Sequence, residues 1–340
     1  MNKKILLTVL QYIIFLGLGI AIIFYMSAQL SEEDKESMMS AIKGVRLWLL
    51  IPIFLVGFLS HYFRALRWKL LLEEVDVKAS TTNTTFAVMI GYIANLVLPR
   101  AGEVAKCTVL ARYEKVPADK MIGTIVAERA FDVVCLVLIT IAAFVLQADI
   151  IGDFAAEKFG TISSNAQGVF TSIYFQIFII VGAVGLIAFI LLLKRIKHTK
   201  VGQFIKGLGD GVASIFRLKK RGMFLLYTLC IWGAYWFLVW MGFWSMSQLE
   251  HLSGLSALVV LIFGSIGMIA TQGGIGAYPL LVGQILVHYN IAEAHGLAFG
   301  WVSWTVQTGV VVLFGALSLI LLPIYNNRKA THVKAELDNE

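Results

Sequence analysis

NLVLPRAGEVAK, residues 95–106, is an apolar stretch interrupted by a proline, an arginine, a glycine and a glutamate and then resumed. Pro99 stops a helix and Gly102 permits a tight turn. The stretch therefore predicts one short helix ending before Pro99 and a second beginning between Arg100 and Glu103. The first amides of that second helix lack intrahelical partners and carry partial positive charge. Arg100 adds a full charge, and together they suit a phosphate group. A plainer reading stands beside it, in which Glu103 caps its own helix and Gly102 makes a buried turn.

The surroundings decide where such a break sits. The chain has 340 residues, 59% hydrophobic and only 14% charged, with apolar runs that a domain with a solvated surface does not contain. Backbone groups inside a bilayer find no water, so these runs are expected to be helical, and the alternating short strands of a barrel are not seen. The fold class is an all-α integral membrane protein. Cys107, Cys135 and Cys230 lie in apolar segments without CxxC spacing and read as small core residues. The histidines form no HExxH, and no GxxxxGK[ST] loop is present, so neither a metal hydrolase nor a built-in ATPase is supported. No cofactor, metal or nucleic-acid partner is expected.

Runs at 5–26, 47–63, 121–147, 172–193, 223–247 and 296–322 are each near the roughly 20 residues needed to cross. The first follows MNKK and exceeds a signal peptide's apolar core, so it is read as an uncleaved span. Residues 84–113 and 255–289 each contain two shorter apolar pieces, joined by LPRAGE and TQGGIGA, and read as re-entrant helical hairpins. With about six full spans and both hairpins returning, every Lys/Arg cluster falls on the cytoplasmic side, and loops 27–46 and 148–171 are net acidic. The two hairpins then open to opposite sides. Span, hairpin and span recur in the two halves as an inverted repeat, an architecture in which broken helices meet near the midplane of a transporter. In the second hairpin Gly273, Gly274 and Gly276 precede a helix beginning between Ala277 and Pro279. Residues 1–325 form the transmembrane domain. Segment 200–217 is expected to lie on an anionic leaflet as an amphipathic helix, and the polar tail 326–340 to be disordered.

VAERAFDVV places Glu128, Arg129 and Asp132 about 12 Å along a helix from Lys120, well inside the bilayer. Three uncompensated charges there would cost about 9 kcal/mol, so they must be paired or face water. Glu128 and Asp132 share a face, Arg129 reaches Asp132 at i, i+3, and Arg100 with Lys106 is the natural complement. The expected cluster is Arg100, Glu103, Lys106, Glu128, Arg129 and Asp132. One reading makes it a buried ionic latch between helices. The other makes it an anionic head-group site in which Arg129 and Arg100 contact phosphate. Arg64, Arg67, Trp68 and Lys69 read as a cytoplasmic anchor with snorkelling cations, with docking of lipid phosphates as the second reading. Trp232, Trp236, Trp240 and Trp244 form an i, i+4 ladder read as packing or lipid contact, with an acyl-chain path as the second reading.

LPRAGEVAK, then AERAFDVV, then QGGIGAYP, in that order, resembles the lysylphosphatidylglycerol synthase transmembrane family, also called the flippase-like domain family. The resemblance runs from about Ile5 to Pro323 and looks like a bacterial stand-alone member. It implies translocation of lipids, in the best-known members aminoacylated phosphatidylglycerol, between leaflets of the bacterial cytoplasmic membrane. The termini would then be cytoplasmic. The matching positions are Arg100, Gly102, Glu103, Glu128, Arg129, Asp132, Gly273, Gly274 and Gly276. Larger members carry a soluble aminoacyl-transferase domain after the membrane part. Nothing of that size follows Pro323, so lysyl transfer is not expected. Many members have Pro before and Glu after the glycine motif, where this chain has Thr271-Gln272 and Tyr278-Pro279. The identity of the lipid is therefore not carried over, and Tyr278 joins the candidate site.

The first reading is a lipid flippase or flippase-like transporter of an anionic or aminoacylated phospholipid, or of a polyprenyl-phosphate lipid. The second is a membrane-embedded transferase with Glu128, Asp132 or Glu103 as base. The third is a partner subunit of a separate lipid-modifying enzyme, docked through the basic residues of 194–221.

Overall fold

The computed structural model describes residues 3–98, 101–159, 215 and 217–337. The expected span 172–193, and segment 200–217 apart from Ile215 and Arg217, lie outside the described residues, as do Pro99 and Arg100. The described chain forms α1 (Lys3–Gln29), α2 (Glu32–Lys43), α3 (Leu50–Glu73), α4 (Thr81–Val97), α5 (Ala101–Glu114), α6 (Ala118–Leu146) and α7 (Ala148–Phe159). It continues as α8 (Arg221–Phe243), α9 (Gly254–Ala270), α10 (Ala277–Val287) and α11 (Glu293–Leu337), with no strand among the described residues. Among the described residues, four stretches are long and apolar enough to cross a membrane, Leu47–Glu73, Lys120–Leu146, Arg221–Phe243 and Glu293–Arg328. They contain or closely overlap four of the expected spans. The run 5–26 falls in α1, whose Leu16–Gln29 part counts as a shorter apolar helix.

Both interruptions fall where the chain chemistry puts them. Helix α4 ends at Val97, and Leu98 is extended at φ −134°, ψ 125°, the conformation forced on a residue that precedes proline. After α9, Thr271 is extended and a single 3-10 turn spans Gln272–Gly274. Gly273, Gly274 and Gly276 all have positive φ, 62°, 75° and 74°, a region costly for any residue with a Cβ. Polar caps start the legs: the Ser80 side chain accepts the Asn83 N–H, and Ser253 accepts that of Ser256. Within the first pair the backbones nearly touch, because a Cβ on Gly91 would lie 2.9 Å from the Gly102 carbonyl oxygen.

The packing repeats between the two halves. Helix α3 packs on α4 as α8 packs on α9, α4 on α5 as α9 on α10, and α5 on α6 as α10 on α11. Helix α4 also meets α11 as α9 meets α6, while α3 and α8 pack on each other. Two apolar clusters are buried, and each draws side chains from both halves. One is built around Trp68, Leu72, Val88, Leu110, Met121 and Phe224. The other is built around Phe243, Val260, Tyr278, Ile285 and Phe299.

Two stretches are more ordered than composition implied. In the acidic loop 27–46, Ser31 caps α2 by accepting the Asp34 N–H, and Glu32, Glu33 and Asp34 occupy its first turn. The tail expected to be disordered from residue 326 instead continues α11 to Leu337. Its Arg, Lys, Ala, Glu and Leu residues are good helix formers. At its start Asn326 and Asn83 exchange amide hydrogen bonds of 2.8 and 3.0 Å.

Candidate functional site

Helix α3 carries Arg64 and Arg67 one turn apart, and α6 carries Glu128 and Asp132 on one face. Arg64 Nη1 reaches Glu128 Oε1 at 3.0 Å and Asp132 Oδ2 at 2.6 Å. Arg67 Nη2 lies 2.7 Å from Asp132 Oδ1 and 3.5 Å from Glu128 Oε1. From α5, Lys106 Nζ donates to Glu128 Oε2 at 2.7 Å. The second half closes the group: Arg64 donates to Tyr235 Oη at 3.2 Å and Arg67 to Thr228 Oγ1 at 3.3 Å, both on α8. Trp68 lies under the Lys106 ammonium, 4.4 Å from ring centroid to Nζ. Its indole N–H donates to Thr124 Oγ1 at 2.9 Å.

A second pair sits at the edge. Arg129 Nη2 donates to Glu103 Oε1 at 3.1 Å, and these side chains keep 43% and 27% of their surface exposed, whereas Glu128 and Arg67 are at 0%. Among the described residues, Arg129 Nε and Glu103 Oε2 have no hydrogen-bond partner. Arg129 also interrupts an apolar stripe, since Ile122, Val126, Val133 and Val137, on the same side of α6, are all exposed. Arg64, Arg67, Lys106 and Arg129 against Glu103, Glu128 and Asp132 leave one positive charge in excess. Beside the pairs lies a half-open cavity of about 10 Å³ lined by Arg64, Tyr92, Asn95, Gly102, Glu103, Lys106 and Arg129, among others. That is about enough for one water.

Most of the expected cluster is therefore brought together, with different partners. Asp132 pairs with Arg64 and Arg67 and not with Arg129, which reaches across to Glu103 on the first hairpin. Arg100 lies outside the described residues. The expectation that Arg64, Arg67 and Trp68 form a snorkelling anchor is corrected, because all three are buried. The apolar stretch does not stop at residue 63, and α3 continues to Glu73. Both arginines thus lie inside a long packed helix, where an opposite charge replaces water. The cationic contact beyond its end is made by Lys220, which donates to Glu73 at 2.8 Å.

Gly273, Gly274 and Gly276 shape the second turn but do not line the cavity. Tyr278 is buried beside Gly264 and Gly267, and its hydroxyl accepts from Gln307 Nε2 at 3.0 Å. In the tryptophan ladder Trp236, Trp240 and Trp244 meet as tilted rings with successive centroids 5.1 Å apart, and Trp236 Nε1 donates to the Gly254 carbonyl at 2.7 Å. Trp236 and Trp240 also pack against the apolar cluster built around Phe243 and Phe299. Arg64, Arg67, Thr228, Tyr235, Tyr92 and Asn95 were absent from the site as read from sequence. The available signal was arithmetic: Glu128 and Asp132 needed cations, and α3 carries two at i, i+3.

Residues 11–315 match the family described as lysylphosphatidylglycerol synthase TM region. The chain belongs to that family. No curated protein and no solved structure matches it. Family and apolar helices together make it a multi-pass membrane protein.

Proposed function

We propose that this family member moves the head group of an anionic or aminoacylated phospholipid, or of a polyprenyl-phosphate lipid, between the leaflets of a bacterial cytoplasmic membrane. The observation that carries the reading is the half-exposed Arg129–Glu103 pair on the apolar stripe of α6, at the edge of a cluster with excess positive charge. Glu103 meets this guanidinium through Nη2 alone, so on a lipid-facing stripe Arg129 keeps donors for a second anion. A phosphate arriving sideways can take Arg129 by two parallel hydrogen bonds while its acyl chains stay along Ile122, Val126, Val133 and Val137. The sealed part of the cluster, Arg64, Arg67, Lys106, Glu128 and Asp132, holds the helices that present this pair and does not itself have to move.

The repeated packing of the two halves favours a transporter built from oppositely oriented repeats, with both hairpins re-entrant and their tips at the translocation path. Under that reading both termini are cytoplasmic. The test is movement of fluorescent phosphatidylglycerol, phosphatidylethanolamine and aminoacylated phosphatidylglycerol across proteoliposomes containing the native chain. The expected result is movement of at least one of these lipids faster than in protein-free vesicles. Rates equal to the protein-free control for these and for a polyprenyl phosphate would overturn the reading.

A further inference from the structure

The half-open cavity beside Glu103 and Arg129 is lined by polar groups of two kinds. Some are already engaged: Lys106 Nζ is held by Glu128, and Asn95 accepts from Gln272 Nε2 through its carbonyl at 2.6 Å and from the Gly102 N–H through Oδ1 at 2.7 Å. Three other lining side chains each keep one buried polar atom without a partner among the described residues, namely Arg64 Nε, Arg129 Nε and Glu103 Oε2. Arg64 lies deepest, with 7% of its side chain exposed, and its Nη groups are taken by Glu128, Asp132 and Tyr235. Leaving a buried donor or acceptor unpaired is costly. These atoms therefore state what the cavity takes up.

Two of them are N–H donors and the third is a carboxylate acceptor. A cavity with room for about one water admits a single small group and not a whole phosphate. That group must accept twice and donate once. An anionic phosphate oxygen accepts from both guanidinium N–H groups, but it carries no hydrogen for Glu103 Oε2 and sets a second negative charge beside it. An ammonium serves Glu103 and brings its positive charge against two arginines. A hydroxyl satisfies all three atoms, because it has two lone pairs and one O–H.

We propose that this cavity is a hydroxyl subsite for the lipid head group. The head-group O–H accepts from Arg64 Nε and Arg129 Nε and donates to Glu103 Oε2, while the phosphate stays outside on the Arg129 donors that Glu103 leaves free. The proposal rests on the head-group reading above and narrows it. A head group with a hydroxyl a few bonds from its phosphate, as in glycerol or a sugar, fits the subsite. Ethanolamine, which offers only an ammonium, does not. Water has the same donor and acceptors as a hydroxyl, and the experiment separates the two sources.

Phosphatidylglycerol and phosphatidylpropanol carry the same charge and head groups of similar size, and they differ only in the glycerol hydroxyls. The full-length protein in detergent is titrated with each lipid, and the lipid adducts are read by native mass spectrometry. Phosphatidylglycerol is expected to bind at least about tenfold more tightly, because its analogue forfeits hydrogen bonds to charged groups. Equal affinity would overturn the proposal and leave the cavity to water alone. Glu103→Met removes the acceptor from a half-exposed pair whose loss costs little stability, and Arg64→Lys keeps the buried charge without an Nε–H. Either change should bring the ratio toward one. A preference undiminished in Glu103→Met would also overturn the proposal, because the selection would then arise elsewhere. Movement of the same two lipids in proteoliposomes separates this proposal from the reading it rests on. Preferential binding with no movement of any lipid would sink the transport reading and leave the subsite standing, and equal binding with lipid movement would sink the subsite alone.

Discussion

At the scale of single residues, Glu128 and Arg129 are neighbours in sequence with opposite energetic roles. Glu128 is fully buried between Arg64, Arg67 and Lys106. Replacing it by Ala leaves the buried Lys106 without its carboxylate and Arg64 and Arg67 with Asp132 alone, a loss of about 3–5 kcal/mol. Arg129 is nearly half exposed with a single ion-pair partner, and Arg129→Gln is expected to cost under about 1 kcal/mol. Thermal unfolding in detergent checks the contrast: a large fall for Glu128→Ala and a small one for Arg129→Gln are expected, and equal falls would mean that the edge pair is as structural as the core. The acidic half of this site was legible in the sequence because charge inside a span is too costly to leave unexplained. Its basic half was less so, because Arg64 and Arg67 follow an apolar run of spanning length and the same residues serve equally well as an interfacial anchor. Only the continuation of α3 to Glu73 separates the two.

At the scale of elements, the two breaks were legible because Pro and Gly act locally. Pro99 removes a donor and extends Leu98, and the glycines of 273–276 take backbone conformations that other residues avoid. The close approach of α4 and α5 at Gly91 and Gly102 gives a direct test. Gly102→Val puts a branched side chain against the Gly91 carbonyl and should destabilise by about 1–3 kcal/mol or more. Gly123, exposed on α6 with nothing near its missing Cβ, is the control. Gly123→Ala should be neutral or stabilising by up to about 1 kcal/mol, because only helix propensity changes. Loss of stability in both would mean that hairpin contact is not the cause. The Gln272–Asn95 contact was not legible, since a single hydrogen bond between tips far apart in sequence leaves no periodicity or composition behind it. Nor was α2, whose cap and acidic first turn lie in a stretch too polar to stand out from a loop.

At the scale of the whole molecule, the repeated packing of α3–α6 and α8–α11 was inferable from the order of long and short apolar runs, because each run length is set by the bilayer. The basic clusters predict an orientation, and cysteine labelling tests it. A cysteine within 248–254 is expected to react from outside and one within 114–119 from inside, and the reverse pattern would contradict the inverted arrangement. The central claim is that Arg129, at the exposed edge of the charge cluster, meets the phosphate of a moving lipid. Its most direct test is the initial rate of head-group translocation in proteoliposomes by the native chain and by an Arg129→Gln variant of matched folded yield. The predicted result is lipid movement by the native chain that falls to the protein-free rate in the variant. Equal rates in the two would contradict it.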